Sequence, residues 1–153
     1  MAERGLRGDL MGETALARLA LEDMDAAARV HRAAFDHRLP WLSGLHTPAE
    51  DRGFYRDHIF NDCAVWGASD AAGLAGFIAF REDWVDQLYV LPAAQNRGVG
   101  SRLLSVAQAA FPQLSLWTFQ RNTGARRFYE ARGFVVVELT DGARNEEREP
   151  DML

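Results

Sequence analysis

The sequence predicts a single α/β domain in which a mixed sheet is covered by helices. Strand-like runs alternate with amphipathic helical patterns along the chain. The 153 residues are 48% hydrophobic and 25% charged, which is typical of a soluble domain with a real core. Neither an internal repeat nor a linker divides the chain. We therefore expect one domain over residues 15–153, after a flexible polar leader at 1–14 in which Met11 is an alternative start.

Local patterns define the elements of the first half. Weak alternation predicts a strand at 15–21, and Ala27, Val30 and Ala34 recur with helical spacing, which predicts a helix at 23–35. A loop follows at 37–47. A Thr-Pro-Ala-Glu sequence then has the form of a capping box with proline at the first helical position, so a second helix is predicted from Pro48 to about residue 59.

The second half alternates strands with helices. Strands are predicted at 63–69, 74–81, 84–91, 114–119 and 134–139, and helices at 98–111 and 123–132, the second ended by Gly133. The tail after Thr140 is short and charged. We therefore expect the C-terminal strand to be incomplete, or shared with a second copy in a homodimer.

Composition excludes several classes of function. The net charge of −5, from 17 basic and 22 acidic residues, argues against a nucleic-acid partner. No apolar run is long enough to span a membrane, and no signal-peptide core is seen, so we expect no membrane partner and a cytoplasmic location. The single cysteine, Cys63, excludes a disulfide framework. No His, Asp or Glu set has ligand spacing, so no metal is expected.

A glycine-containing turn between a strand and a helix is the most informative segment. Gly98 and Gly100, one residue apart, let a ligand approach the backbone closely, and the free N–H groups of the helix start attract an anion. Arg97 and Arg102 add positive charge. The turn is not a P-loop, since no Lys-Ser/Thr follows, and Leu103 stands where a dinucleotide fingerprint needs glycine. A nucleotide-binding domain that uses this turn for another phosphate is a disfavoured alternative.

Two consecutive motifs resemble those of the GNAT acetyltransferase superfamily. The first is Leu-Tyr-Val-x-Pro at 88–92, followed by Gln-x-x-Gly-x-Gly at 95–100 and an apolar helix. The second is Asn122, a short helix containing Tyr129, and then Gly-Phe at 133–134. The resemblance covers residues 84–134. It implies a mixed, mostly antiparallel central sheet of six to seven strands with about four helices, in which two parallel strands, 84–91 and 114–119, splay apart around acyl-CoA.

The resemblance also implies an activity. Such a protein moves an acetyl group from acetyl-CoA to a primary amine of a small molecule or peptide, by direct attack through a tetrahedral intermediate. Backbone groups at 88–90 would hold the pantetheine arm, and an N–H near Val90 would hold the oxyanion. Tyr129 would protonate the departing thiolate. The implied cofactor-binding residues are Leu88, Tyr89, Val90, Gln95, Asn96, Arg97, Gly98, Val99, Gly100, Ser101, Arg102 and Asn122. A non-catalytic acyl-CoA-binding or sensing module of the same fold is the alternative.

The general base and the acceptor site are less well marked. By the register of the resemblance, Trp84 and Trp117 stand where some members carry a base, and neither side chain titrates. Asp86 is the nearest acidic residue on the strand and is our candidate. The alternatives are Glu82, Asp83, His37, His46 and a chain of water molecules. Residues predicted to contact the acceptor are Trp41, His46 and Trp84.

Overall fold

The computed structural model describes residues 14–153, so most of the predicted leader, residues 1–13, lies outside the described residues. Thr14 is buried. Its carbonyl and hydroxyl oxygens accept hydrogen bonds from the Arg102 guanidinium at 2.6 and 2.7 Å.

Four antiparallel strands form the larger sheet. They are β1 (Ala15–Arg18), β2 (Ala64–Asp70), β3 (Gly73–Arg81) and β4 (Trp84–Val90), and they lie side by side in that order. The three strands predicted between residues 63 and 91 are confirmed. The first strand is shorter than predicted, because a 3₁₀ turn begins at Leu21. β4 is the edge strand, so one side of its backbone is not paired within this sheet.

Within residues 14–153, four helices accompany the sheet, as predicted. They are α1 (Met24–Arg38), α2 (residues 48–62), α3 (Val99–Ala110) and α4 (Thr123–Glu130). Helix α2 begins as Pro48–Phe54 and continues through a π-helical turn, Tyr55–Ile59, into Phe60–Asp62. The predicted capping box starts it: Glu50 N donates to Thr47 Oγ1, and Thr47 N donates to Glu50 Oε1, both at 3.2 Å.

The two faces of the sheet bury different helices, because successive residues of a strand point to opposite sides. On one face, Phe77 and Ala79 of β3 pack with helices α1 and α2. On the other face, Ile78 and Phe80 pack with helix α3. The same alternation divides β4. Tyr89 lies on the α1–α2 side, whereas Leu88 and Val90 lie on the α3 side.

The C-terminal region, 112–153, contains less regular structure than predicted. Of the strand predicted at 114–119, only β5 (Thr118–Phe119) is regular, and it pairs antiparallel with β6 (Asp151–Met152). Ser115 forms an isolated parallel bridge with Trp84. The four-stranded and two-stranded sheets stand in place of the single sheet of six to seven strands that was expected.

The strand predicted at 134–139 is not formed among residues 14–153, and that prediction was wrong. Leu139 bridges to Met152, and Val137 N donates to the Leu153 carbonyl oxygen at 2.8 Å, but no continuous ladder follows. Val135 and Val137 are 78% and 74% exposed. The hydrogen bonds of this segment to residues 151–153 do not form a regular ladder, and a β-rich composition alone does not supply one.

Candidate active site

A cavity of about 880 Å³ lies along the free edge of β4. It is bounded on the far side by residues 116–119, and the starts of α3 and α4 also line it. The bridge between Trp84 and Ser115 joins the two walls, where Val85 N donates to the Ser115 carbonyl at 2.9 Å. Beyond that bridge, no further hydrogen-bonded pairing joins these walls within the described residues.

Backbone groups of β4 point into this cavity. Leu91 N donates to the Ala75 carbonyl of the neighbouring chain segment at 2.8 Å, so the N–H one residue earlier, at Val90, points to the opposite edge. The Val90 carbonyl points the same way and accepts a hydrogen bond from Gln95 Nε2 at 3.0 Å. The N–H of Val90 is therefore directed at the cavity.

The turn before α3 has the conformation that the two-glycine pattern suggests. Gly98 is the N-cap with φ of 80°, and Asn96 has φ of 63°, both left-handed. No side chain caps this helix start. Its first N–H groups, which lack partners inside the helix, are available to an anion.

Gly100 has a packing reason as well. A Cβ atom at this position would lie 3.2 Å from the Phe128 ring of α4. Glycine at this position therefore allows helices α3 and α4 to approach each other, a role that the spacing alone did not indicate.

Most of the predicted site residues line the cavity. These are Asp86, Leu88, Tyr89, Val90, Gln95, Asn96, Gly98, Val99, Gly100, Ser101, Asn122 and Tyr129. Arg97 and Arg102 do not line it, and the guanidinium of Arg102 is bonded to Thr14 instead.

Arg38, at the end of α1, contributes a cation that the sequence pattern did not single out. Its guanidinium donates to Gln95 Oε1 and lies so close to Gly124 that a Cβ there would overlap it. Arg38 thus lies between the turn before α3 and the start of α4. Arg127 and Arg132 also line the cavity, so three guanidinium groups contribute to its lining.

Tyr129 is placed by packing and is chemically suited to donate a proton. Its ring makes edge contacts with Phe128 and Phe134, at centroid distances of 5.1 and 5.3 Å. Burial, with a smaller contribution from Tyr89, raises the pKa of Tyr129 above its ordinary value. The phenol is therefore protonated at neutral pH. Asn122 caps α4 by accepting from Ala125 N at 3.2 Å.

Asp86 lines the cavity, and its carboxylate already has two partners. Arg81 Nε lies 3.1 Å from Oδ2, and the Cys63 thiol donates to the same oxygen at 3.2 Å. Burial, reinforced by Asp86, raises the pKa of Cys63 to about 12, so this thiol stays protonated.

The three residues predicted to contact the acceptor lie outside the cavity lining. Trp84 is at the closed end, beside Ser115. The Arg121 guanidinium lies over the Trp41 ring, with its central carbon 4.2 Å from the ring centroid. Trp41 Nε1 donates to Glu149 Oε2 at 3.3 Å. His46 contacts Glu50 Oε2 at 3.3 Å and Glu146 Oε1 at 3.1 Å, and these carboxylates raise its pKa.

Trp41 and His46 instead hold two loops together, 39–47 and 141–150. The anchor of the second loop is Glu149, which is buried and receives two hydrogen bonds from Arg121. Asn145, Glu147 and Asp151 line the cavity. The charged tail therefore forms part of the candidate site, which the sequence pattern did not predict.

A half-buried histidine ring supports Tyr89 from the α1–α2 side. The His31 ring stacks on Tyr89 at a centroid distance of 4.3 Å, and His31 Nδ1 is hydrogen-bonded to the Tyr55 hydroxyl. Burial, with Arg32 nearby, lowers the pKa of His31 to about 4, so the ring is neutral at physiological pH. These contacts fix the orientation of a cavity-lining side chain.

Two other kinds of feature, a membrane-spanning helix and a metal centre, are absent from residues 14–153. No helix there has the length and apolar character needed to cross a membrane. No group of three or more His, Cys, Asp or Glu side chains in this part of the chain is arranged to hold a metal ion.

The chain is similar in sequence and in fold to known acetyltransferases. The family model described as an acetyltransferase (GNAT) domain matches residues 61–136. A peptidyl-lysine N-acetyltransferase, YiaC of Escherichia coli K12, is 32% identical over 84 residues, which make up 54% of this chain and 58% of that protein. The chain thus spans little more than half of that relative.

Solved structures share the fold over most of its length. The apo form of YjaB from Escherichia coli has a TM-score of 0.75 at 21% identity, covering 91% of this chain and 94% of that one. The PaiA N-acetyltransferase of Thermoplasma acidophilum, solved with coenzyme A, has a TM-score of 0.68 at 20% identity, covering 91% and 96%.

Proposed function

The chain belongs to the GNAT acetyltransferase superfamily, and on that premise we propose that it transfers an acetyl group from acetyl-CoA to a primary amine. One observation carries the proposal. The free edge of β4, the uncapped start of α3 and the Tyr129 side chain all line a single cavity.

The residues of the cavity suit an acyl-CoA substrate. The first N–H groups of α3 and the guanidinium of Arg38 offer hydrogen bonds and positive charge to a pyrophosphate. The backbone groups of Leu88 and Val90 face the free edge and can pair with the amides of a pantetheine arm, in the manner of an added strand, whereas those of Tyr89 face β3. We propose that the walls of the cavity, which meet at Trp84 and Ser115, separate to hold this arm.

The chemistry follows from these positions. The amine nitrogen attacks the thioester carbonyl carbon, and the electron pair of the carbonyl bond moves to oxygen. The N–H of Val90, directed at the cavity, stabilises that oxyanion. Collapse of the tetrahedral intermediate breaks the C–S bond, and Tyr129 donates its proton to the departing thiolate.

The amine must also lose a proton. We propose Asp86 as the acceptor of that proton, because this residue is the acidic residue of β4 that lines the cavity. The ion pair with Arg81 holds the carboxylate in place. An Asp86→Asn variant should retain acetyl-CoA binding and lose turnover. Full activity in that variant would assign proton removal to another group or to water.

The acceptor is proposed to be an amine such as the lysine side chain of a peptide. The relative YiaC, which this chain partly covers, is described as a peptidyl-lysine N-acetyltransferase. Lysine-containing peptides are therefore the first acceptors to screen.

The decisive experiment measures binding and turnover separately. Thermal shift with acetyl-CoA, ATP and NAD should show stabilisation by acetyl-CoA, because a ligand of the native state raises its stability. Release of free coenzyme A should then depend on an added amine. Binding without release for every amine class would favour the non-catalytic acyl-CoA-binding module, and stabilisation by ATP or NAD alone would contradict the proposal.

A further inference from the structure

The cavity carries positive and negative groups on different structural elements. Its guanidinium groups, Arg38, Arg127 and Arg132, come from the end of α1 and from α4 and the residues after it. Glu147 also lines the cavity, and it belongs to the loop 141–150. Two reactants bound side by side in the cavity, one negatively charged and the other positively charged, would match this arrangement.

Glu147 differs from the glutamates on either side of it in the chain. Glu146 is paired with His46, and Glu149 is paired with Arg121. The carboxylate of Glu147, by contrast, makes no hydrogen bond or ion pair to any residue within 14–153. It is half-buried and lines the cavity.

Glu147 and Tyr89 line the same cavity. Burial raises the pKa of Tyr89, and the next largest contribution comes from the negative charge of Glu147. Tyr89 lies on the α1–α2 side of β4, whereas Val90 lies on the α3 side, the side of the glycine turn. Glu147 and the β4 residues Leu88 to Val90 therefore line one cavity, in which the negative charge of Glu147 acts on Tyr89.

The loop that carries Glu147 is fixed by its neighbours. Glu149 is bonded to Arg121 and Trp41, and Asn145 Nδ2 donates to the Glu149 carbonyl at 2.7 Å and to Asp151 Oδ2 at 3.1 Å. A carboxylate placed by a fixed loop loses little further conformational freedom when it binds a ligand.

We propose that Glu147 binds the positive charge of the acceptor, and that the protein therefore selects amines whose neighbouring groups are cationic or neutral rather than acidic. This rests on the proposed acetyl transfer. A charge-assisted hydrogen bond from an ammonium to this carboxylate attracts such acceptors, whereas an acceptor with its own nearby carboxylate is repelled. Polyamines and lysine side chains in basic peptides belong to the selected class.

Matched acceptors test the inference. Putrescine and γ-aminobutyrate have similar length, and differ in carrying an ammonium or a carboxylate at the far end. A lysine peptide flanked by arginine and the same peptide flanked by glutamate form a second pair. In both pairs the wild-type protein should give the higher kcat/KM for the cationic member, by about tenfold or more.

Variants assign the preference to the residue. Glu147→Gln should raise KM for the cationic acceptors by about tenfold and leave the Kd of acetyl-CoA unchanged. Glu147→Lys should reverse the preference within each pair. Glu138→Gln, which removes an exposed carboxylate outside the cavity lining, should change neither quantity.

The outcomes separate the inference from the proposed function. Absence of acetyl-CoA binding, or of transfer to any amine, would overturn the proposed function. Three results would overturn the inference about Glu147 and leave the proposed function standing. The protein could transfer acetyl groups faster to the acidic acceptor of each pair, show no preference within the pairs, or act only on amines outside both pairs. A cationic preference that Glu147→Gln leaves intact would also overturn the inference.

Discussion

The two walls of the cavity are built by different forces. The β4 wall belongs to a continuous antiparallel sheet whose faces are covered by helices, with Phe77, Ile78 and Leu103 fully buried. The opposite wall belongs to the region 112–153, where strands are two residues long and valines are exposed. Side-chain polar contacts around Glu149 and Asn145 help to hold that region in place.

This difference indicates how the protein divides its tasks. Burial of apolar side chains fixes the β4 wall, and the pantetheine arm of a cofactor can form backbone-like hydrogen bonds with it. Hydrogen bonds and ion pairs fix the other wall, and these depend on individual side chains and on pH. Substitutions in the two walls should therefore have different signatures.

The largest effect is expected from the apolar wall. Phe77 is completely buried between the sheet and helices α1 and α2. Phe77→Ala should lower the free energy of unfolding by about 3–5 kcal/mol, since it leaves a cavity in the core. Urea unfolding with linear extrapolation measures this, and a loss below about 1 kcal/mol would contradict the contrast between the walls.

Tyr129 tests the chemical function of the second wall. Tyr129→Phe keeps the ring contacts with Phe128 and Phe134 and removes the acidic proton. The value of kcat should fall about a hundredfold while acetyl-CoA binding survives. Because the pKa of Tyr129 is raised above its ordinary value of about 10, the phenol keeps its proton across the usual assay range, and the loss in kcat should be similar at every pH in that range. An unchanged kcat, with chemistry rate-limiting, would make water the proton source.

The glycine turn tests the anion site. Gly100→Asp should weaken acetyl-CoA binding at least about tenfold, or roughly 1.4 kcal/mol. Gly100→Ala is the matched control, because its Cβ already meets the Phe128 ring at 3.2 Å without adding charge. Calorimetry should show a clear difference between the two variants. Equal affinities would mean that the pyrophosphate does not bind at this turn.

The ion pair between Arg121 and Glu149, which helps to hold the second wall in place, should weaken at acidic pH. Arg121, through its hydrogen bonds, holds the pKa of Glu149 below its ordinary value. The ionised Glu149 carboxylate therefore stabilises the folded protein at pH values above its pKa in the unfolded chain, about 4.3. This contribution is lost as the pH falls through the lower pKa that Glu149 has in the folded protein. Glu149→Gln should cost about 1 kcal/mol at neutral pH. Thermal unfolding should show that the stability difference between the wild type and this variant shrinks below about pH 4. A difference that stays constant with pH would mean that the negative charge of Glu149 does not contribute to stability.

The smallest effect is expected at the exposed valines. Val135→Ser should change the stability of an isolated monomer by less than about 0.5 kcal/mol. The expected sharing of the C-terminal strand with a second copy stays a prediction. If it is correct, sedimentation should show a dimer that this substitution weakens. A wild-type monomer by sedimentation would contradict the sharing.

The same contrast explains what could be read from the sequence. Strands β2 to β4 and all four helices were predictable, because their apolar periodicity and caps are local signals that the core reinforces. The cofactor turn was predictable because left-handed backbone and free N–H groups need glycine at particular positions. Arg38 and Glu147 were not, because each reaches the cavity from a segment whose own pattern is that of an ordinary solvated surface.

The paired loops show the same limit. Trp41 and His46 were assigned to the acceptor, but their partners, Glu149 and Glu146, lie about a hundred residues away in the chain. No local periodicity encodes such a contact. The strand expected at 134–139 failed for a related reason, since strand formation depends on a partner that the local sequence does not specify.

The hydrogen bond between Cys63 and Asp86 has a practical consequence for assays. Disulfide reagents such as dithionitrobenzoate react with thiolates, and the one thiol of this chain is buried with its pKa raised to about 12. The protein itself therefore contributes little colour at pH 8, and the thiol of released coenzyme A can be followed directly. An Asp86→Asn variant should raise that background, because it removes a carboxylate that helps to keep the pKa of Cys63 high.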